Sequence, residues 1–99
     1  MNGQATISAD ILASYAADAA REVPGVRGFV ESPLPGRRGG VRINEEDGRI
    51  RVELHLAVDW GASIPELGLL VQARVREYLG RMADVDPTAV DVVVDEVGP

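Results

Sequence analysis

Apolar residues recur at three- and four-residue intervals in two long segments of the chain, which is the spacing of one face of a helix. The first segment follows Ser8, a candidate N-cap, and ends at Pro24 and Gly25. Its apolar positions are Ile11, Leu12, Tyr15, Ala16, Ala19 and Val23. The second segment runs from Ser63 to about Met82. Its apolar positions are Ile64, Leu67, Val71, Val75, Tyr78, Leu79 and Met82. Both segments are predicted to be amphipathic helices.

Elsewhere the pattern changes to an alternation of apolar and polar residues, which is typical of strands. The clearest strand covers 50–59, and its inward positions are Ile50, Val52, Leu54, Leu56 and Val58. Shorter strands are predicted at 26–30, at 41–44 and at 89 to about 95. A turn at 46–48, which contains Asp-Gly, joins the second strand to the long one as a hairpin.

The predicted order of elements is therefore α-β-β-β-α-β. Each strand has one apolar face and each helix one apolar stripe, so both helices are expected on one face of a mixed sheet. A right-handed crossover through the second helix makes the last strand parallel to the long one. This predicts an α+β fold, a two-layer α/β sandwich, as a single domain over 1–99 with an ordered core at about 7–97.

Charge and composition narrow the classes of function. Sixteen acidic residues against ten arginines give a net charge of −6, which disfavours contact with phosphate backbones and anionic lipids. The chain has no cysteine, which excludes disulfides, thiolate nucleophiles and cysteine-based zinc sites. Its apolar runs are far shorter than the ~20 residues of a membrane span, and its first residues do not form a secretory signal. We expect no cofactor, no nucleic acid and no direct membrane insertion.

The stretch VDWGASIPE, Val58 to Glu66, combines an acid, a tryptophan and a serine as an active site would. Ser63 followed three residues later by Glu66 also fits a capping box, in which each side chain bonds the other residue's N–H. On that interpretation Ser63→Ala costs about 1 kcal/mol. A catalytic serine requires a base, and none is evident nearby in the sequence. We therefore predict a helix cap at Ser63 and Glu66, and no catalytic residues.

Trp60 has two interpretations. The ring either covers the end of the core or forms a contact anchor on an exposed rim, since tryptophan is enriched among binding hot spots. The Pro/Gly-rich loop SPLPGRRGG, Ser32 to Gly40, contains the double arginine of the sequence. Our hypothesis is that Trp60 and this loop form a surface that binds a partner. The candidate loop residues are Pro33, Leu34, Arg37 and Arg38, for which a solvated loop tip is the alternative explanation.

The outward face of the long strand offers a second candidate site. His55 and Glu53 share that face, and Asp91 or Asp95 is expected from an adjacent strand. Such a group could bind a metal or form an acid-base pair, as a metal-dependent enzyme would need. A solvated sheet face of mixed charge explains the same residues.

A small RNA-binding module of the KH kind is a further alternative. Such a module needs a GxxG loop between helices and a basic groove. Gly36 to Gly39 spells GRRG, yet it lies between two predicted strands of an acidic chain. We therefore keep RNA binding as an alternative and do not expect it.

Four stretches in this order and spacing resemble the alkaline shock protein family, also called the Gls or envelope stress response family. They are ISADILASYAADAAREVPGV, VDWG, SIPELGLLVQARVREYL and VDVVVDEV, and together they extend from about Ile7 to Val97. The most specific parts are EVPGV, Glu22 to Val26, and the aromatic-Gly-x-x-Ile-Pro-Glu pattern, Trp60 to Glu66.

This resemblance implies a cytoplasmic bacterial protein without known enzymatic activity, linked to cell-envelope homeostasis and stress. It also implies self-association and, in some members, recruitment to the inner face of the membrane by a small membrane-anchoring protein. The chain departs from many relatives in three ways. It has Trp60 where tyrosine is common, a short loop at Ser32 to Gly40 where an insert is often longer, and no charged C-terminal extension. A binding role of that insert or tail in relatives is therefore in doubt here.

Overall fold

The computed structural model describes residues 8–31 and 39–98. Within these residues, two helices and four strands follow in the predicted order α-β-β-β-α-β, which confirms the fold class. The elements are α1 Ala9–Arg21, β1 Val26–Phe29, β2 Val41–Glu46, β3 Arg49–Asp59, α2 Ile64–Ala83 and β4 Ala89–Gly98. The boundaries agree with the sequence pattern within one or two residues, except that β4 continues three residues beyond the predicted end at 95.

Strand β3 is the centre of a mixed sheet. It pairs antiparallel with β1 and β2 and parallel with β4, as the crossover through α2 predicts. Asp47 and Gly48 have φ of 54° and 76°, and they form the tight turn between β2 and β3. Positive φ at both positions is what a two-residue hairpin of this kind requires, and Asp-Gly adopts it readily.

Strands β1 and β2 lie along the same edge of β3. The first pairs with Leu56 to Val58, and the second pairs with Arg49 to Leu54. His55 lies between the two segments, where its N–H donates to the carbonyl of Gly40 and its carbonyl accepts from Val30. The N–H and C=O of one strand residue point to the same edge. Two of the predicted strands thus form a single interrupted strand.

The core lies between the sheet and the two helices. The inward residues of β3 are fully buried: Val52, Leu54, Leu56 and Val58. They pack in one cluster with buried residues of both helices, such as Ala16, Ala20, Val71, Val75 and Leu79. Small alanines on α1 permit close packing, and the Tyr15 and Tyr78 rings meet edge to face at 5.8 Å. Both helices therefore lie on one sheet face, as predicted. Within the described residues, neither helix combines the length and hydrophobicity of a membrane span.

Candidate functional site

Trp60 lies at the corner of a tight turn that follows β3. The Ala62 N–H donates to the Asp59 carbonyl at 3.2 Å, and Gly61 at the third position has φ of 89°. This is the position at which such turns favour glycine. The Trp60 N–H donates to the Gly98 carbonyl at 2.6 Å, so the backbone is tied to β4.

The Trp60 side chain is 78% exposed. The interpretation that this ring covers the end of the core is therefore wrong, because a residue at the corner of a turn directs its side chain away from the sheet. Val58 and Leu67, at 0% and 3% exposure, occupy the end of the core instead.

A shallow depression of about 370 Å³ lies beside this turn. The turn, the first residues of α2 and the connection from α1 to β1 enclose it. Its apolar lining consists of Pro24, Gly25, Trp60, Ala62, Leu67 and Leu70. Leu67 is buried, whereas Leu70 is 50% exposed. The depression therefore presents an accessible apolar surface continuous with the Trp60 turn.

Gly25 sets the shape of one wall of the depression. It has φ of 98°, and a Cβ at this position would lie 2.9 Å from Cδ1 of Leu67. Glycine is needed both for the backbone angle and for this close approach. The two stretches that carry the family resemblance most specifically, EVPGV and WGASIPE, therefore meet at one surface.

The charges around the depression are unevenly balanced. Asp59 forms an ion pair with Arg27 at 3.6 Å, and Glu22 forms one with Arg74 at 3.5 Å. Glu66 also lines the depression and is exposed, and it forms no ion pair with another described residue. The unbalanced charge at this surface is therefore negative.

The predicted capping box at Ser63 and Glu66 is wrong, although Ser63 is the N-cap residue of α2. Its carbonyl accepts the Leu67 N–H at 2.8 Å, but its side chain makes no capping hydrogen bond. At Ser8, the N-cap of α1, the side chain does accept the Ile11 N–H at 3.2 Å.

Two features account for this difference between the helix starts. Pro65 offers no N–H within the first turn of α2. Moreover, ψ of Ser63 is 103°, whereas ψ of Ser8 is 151°, which turns the first amide groups of α2 to a different direction relative to the serine side chain.

The loop residues of the predicted partner surface, Pro33, Leu34, Arg37 and Arg38, lie outside the described residues. The flanks of the loop reach the sheet at His55, five residues before Trp60. A strand rises about 3.3 Å per residue, so the loop leaves the sheet about 16 Å along β3 from Trp60.

The predicted cluster on the outer face of β3 does form, and its second carboxylate is Asp95. His55 Nε2 lies 2.5 Å from Glu53 Oε2, and Nδ1 lies 2.7 Å from Asp95 Oδ2. Asp91 is paired instead with Arg51 at 3.2 Å. The register between β3 and β4 shifts at this point, which leaves Asp95 as an extra residue beside His55.

This cluster is a hydrogen-bonded contact that links β3 to β4 through His55 and Asp95. Its carboxylates are bonded to the two sides of one ring, and the His55 side chain is only 12% exposed. Both ring nitrogens are thus engaged, and no lone pair converges with the carboxylates on a shared point. Among the residues that the structure describes, no three His, Asp or Glu side chains are arranged to hold a metal ion.

The sequence pattern did not identify three residues that line the depression, namely Leu70, Pro24 and Gly25. The available signal was the pair Leu69–Leu70, which falls outside the buried stripe of α2 and is 68% and 50% exposed. Consecutive leucines off the stripe of an amphipathic helix indicate an apolar surface that the domain itself does not cover.

The fold and this surface define a small two-layer α/β sandwich with an open apolar surface at one end of its sheet. The chain belongs to the alkaline shock protein 23 family, which is described by a cell envelope-related function, and the family model matches residues 1–99. The resemblance drawn from the sequence is thereby confirmed.

Solved structures with a similar fold are forms of the MamM C-terminal domain, CTD. MamM-CTD 215–293 has a TM-score of 0.62 at 21% identity, and the match covers 88% of this chain and 96% of that one. A manganese form of a variant gives 0.61 at 22%, covering 88% and 96%. A cadmium form of another variant gives 0.64 at 22%, covering 90% and 98%. At this identity the likeness concerns the fold alone. Among curated proteins, none matches the chain significantly.

Proposed function

We propose that this chain is a non-catalytic interaction or scaffold protein of the cell envelope. It acts through self-association and through a membrane-embedded partner, with Trp60 as a principal contact residue. The observation that carries the proposal is the 78% exposure of the Trp60 ring beside an open apolar depression. A large aromatic ring held in solvent by a defined turn is typical of a binding hot spot.

The placement of reactive residues supports a role without catalysis. Ser63 lies beside Trp60, and the one histidine of the chain lies five residues before Trp60 on the outer face of β3. That histidine is held by two carboxylates. A serine nucleophile needs a base within hydrogen-bond reach, and this arrangement does not supply His55 as that base.

Self-association has a physical route through the sheet edge. In the described residues β4 pairs only with β3, so no strand lies along its second edge, and another strand could pair there. Val93, 37% exposed, and the half-buried Ala57 add apolar area on the outer sheet face.

Charge supports recruitment by a protein in preference to a lipid surface. A chain with a net charge of −6 is repelled by anionic headgroups. A cytoplasmic protein held at the inner face of the membrane by an embedded partner therefore fits both this charge and the family's envelope-related function.

The test is formaldehyde crosslinking in the native host at the endogenous level, followed by affinity purification of the chain. Three chains are compared: the wild type, Trp60→Ala and a Gly/Ser replacement of 33–38. We expect the wild type to be linked to an integral membrane protein, and Trp60→Ala to lose that protein on affinity purification while its thermal unfolding is unchanged. Recovery of the same membrane protein by all three chains removes the role of Trp60 and of the loop.

A further inference from the structure

We infer that the depression beside Trp60 receives a short partner segment in which an apolar side chain lies next to an arginine or lysine. This inference rests on the proposed function, because it specifies the chemistry of a partner for that same surface. Three observations support the inference: the apolar lining of the depression, the charge at its rim and the exposed Trp60 ring.

The apolar side chain is received over Leu67 and Leu70. Leu67, 3% exposed, lies beneath the depression, and Leu70, 50% exposed, extends the apolar surface into solvent. A volume of about 370 Å³ lies within the ~300–1,000 Å³ of small ligand sites. Covering Leu70 and the Trp60 ring would remove from water the apolar area that the fold leaves exposed.

The basic side chain is selected by the rim. Two carboxylates, Asp59 and Glu66, line the depression together with uncharged residues, and no described arginine lines it. Asp59 shares its charge with Arg27, whereas Glu66 is unbalanced. An acidic segment is therefore repelled and a basic one attracted. The face of the Trp60 indole adds to this selection, because aromatic faces attract Arg and Lys side chains.

A second copy of the chain is a poorer occupant of the same surface. In a symmetric pair each patch meets itself, so Glu66 and Asp59 of one copy would face those of the other. Like charges brought together at an interface oppose association. Self-association through the sheet edge is compatible with this, since it uses a different part of the molecule.

The experiment selects random twelve-residue peptides displayed on phage against the immobilised full chain. We expect the retained peptides to carry Arg or Lys within about four residues of a Leu, Ile, Met or aromatic residue. Trp60 is the only tryptophan of the chain, so binding of a synthetic, tryptophan-free peptide from this set is measured directly by its fluorescence.

Matched variants then locate the site. Leu70→Ser is expected to weaken binding about tenfold or more, the effect of truncating a hot-spot contact. Glu66→Gln is expected to weaken it about threefold at low salt, with the difference disappearing at high salt. Leu69→Ser is the control, because Leu69 is 68% exposed and does not line the depression, and its affinity should stay within about twofold.

Several results would overturn the inference. They are enrichment of acidic peptides, no enrichment over a blank surface, equal weakening by Leu69→Ser and Leu70→Ser, and a concentration-dependent dimer that Leu70→Ser abolishes.

Failure of this inference is distinguishable from failure of the proposed function. A membrane protein that binds through Trp60 by an acidic or neutral segment keeps the proposed function and removes this inference. If basic apolar peptides bind at Leu70 but no membrane protein is crosslinked, this inference is kept and the proposed function is removed.

Discussion

The two faces of β3 differ in almost every physical respect although their residues alternate along one strand. Toward the helices, Val52, Leu54, Leu56 and Val58 are fully buried in a common apolar cluster. Toward solvent, β3 carries charged or polar residues and one alanine. The contacts there are the Arg51–Asp91 ion pair and the hydrogen bonds of His55, and all are partly open to water. The first face stabilises the domain by burial, and the second contributes weaker and more local energy.

The strongest test of this contrast is Leu54→Ala. Its side chain is fully buried, and truncation removes apolar contact and leaves a cavity. We expect the free energy of unfolding to fall by about 2–5 kcal/mol. Chemical denaturation followed by circular dichroism measures this change. A loss below about 1 kcal/mol would mean that the helix layer does not pack on β3 as described.

His55→Ala tests the neighbouring position on the opposite face. Removal of the imidazole leaves the carboxylates of Glu53 and Asp95 without their shared partner, but both are about one-third exposed and can be hydrated. We expect a loss of about 1 kcal/mol, clearly smaller than for Leu54→Ala. The same denaturation series decides the order, and His55→Gln serves as a control that retains polar contacts. An effect of His55→Ala equal to that of Leu54→Ala would remove the contrast between the faces.

Ser63→Ala tests whether the loss of stability depends on burial or on the side of the sheet where the residue lies. Ser63 belongs to the helix layer and is nevertheless exposed. Its side chain makes no capping bond, so we expect a loss of only a few tenths of a kcal/mol. Ser8→Ala is the matched comparison. That side chain does cap α1, and its loss should cost about 1 kcal/mol. Equal thermal shifts for the two variants would contradict the described helix starts.

A comparably small effect is expected for Arg51→Ala on the outer face. Arg51 and Asp91 form an ion pair at 3.2 Å, with side chains 61% and 50% exposed. Pairs of this exposure contribute about 0.5 kcal/mol or less. The contribution should decrease between about 50 mM and about 1 M NaCl, because salt screens exposed charges. The coupling energy is measured by a double-mutant cycle with Asp91→Ala. A coupling energy that does not depend on salt and exceeds about 0.5 kcal/mol would show that the outer face contributes more to stability than described.

Much of this contrast can be predicted from the sequence. Alternation over 50–59 assigns each side chain to a face, and the helical spacing gives both helices and most of their buried stripes. Three predicted stripe residues near the helix ends are exposed instead: Ile11, Ile64 and Met82. The number and order of elements follow from the local hydrophobic pattern and from the turn residues. Both are encoded by residues that are close together in the sequence. The choice of Glu53 and His55 as outer-face partners likewise follows from their spacing.

What was not predictable depends on contacts between residues far apart in the chain. The depression exists because Gly25 approaches Leu67, and no local pattern encodes that approach. The choice of Asp95 over Asp91 depends on the pairing of β3 with β4, which places Asp91 opposite Glu53 and within reach of Arg51. The missing cap at Ser63 depends on a backbone angle that the residue types S-x-x-E do not fix.

The interrupted edge strand has a consequence for engineering the chain. Both ends of its inserted segment are held at the same residue of β3 by backbone hydrogen bonds, so the sheet continues past the insertion without needing a fixed loop length. Lengthening such a loop is inexpensive, about 0.6 kcal/mol for each doubling. An epitope or a fluorescent reporter inserted between positions 31 and 39 is therefore expected to leave the sheet intact, because the backbone bonds at His55 stay in place.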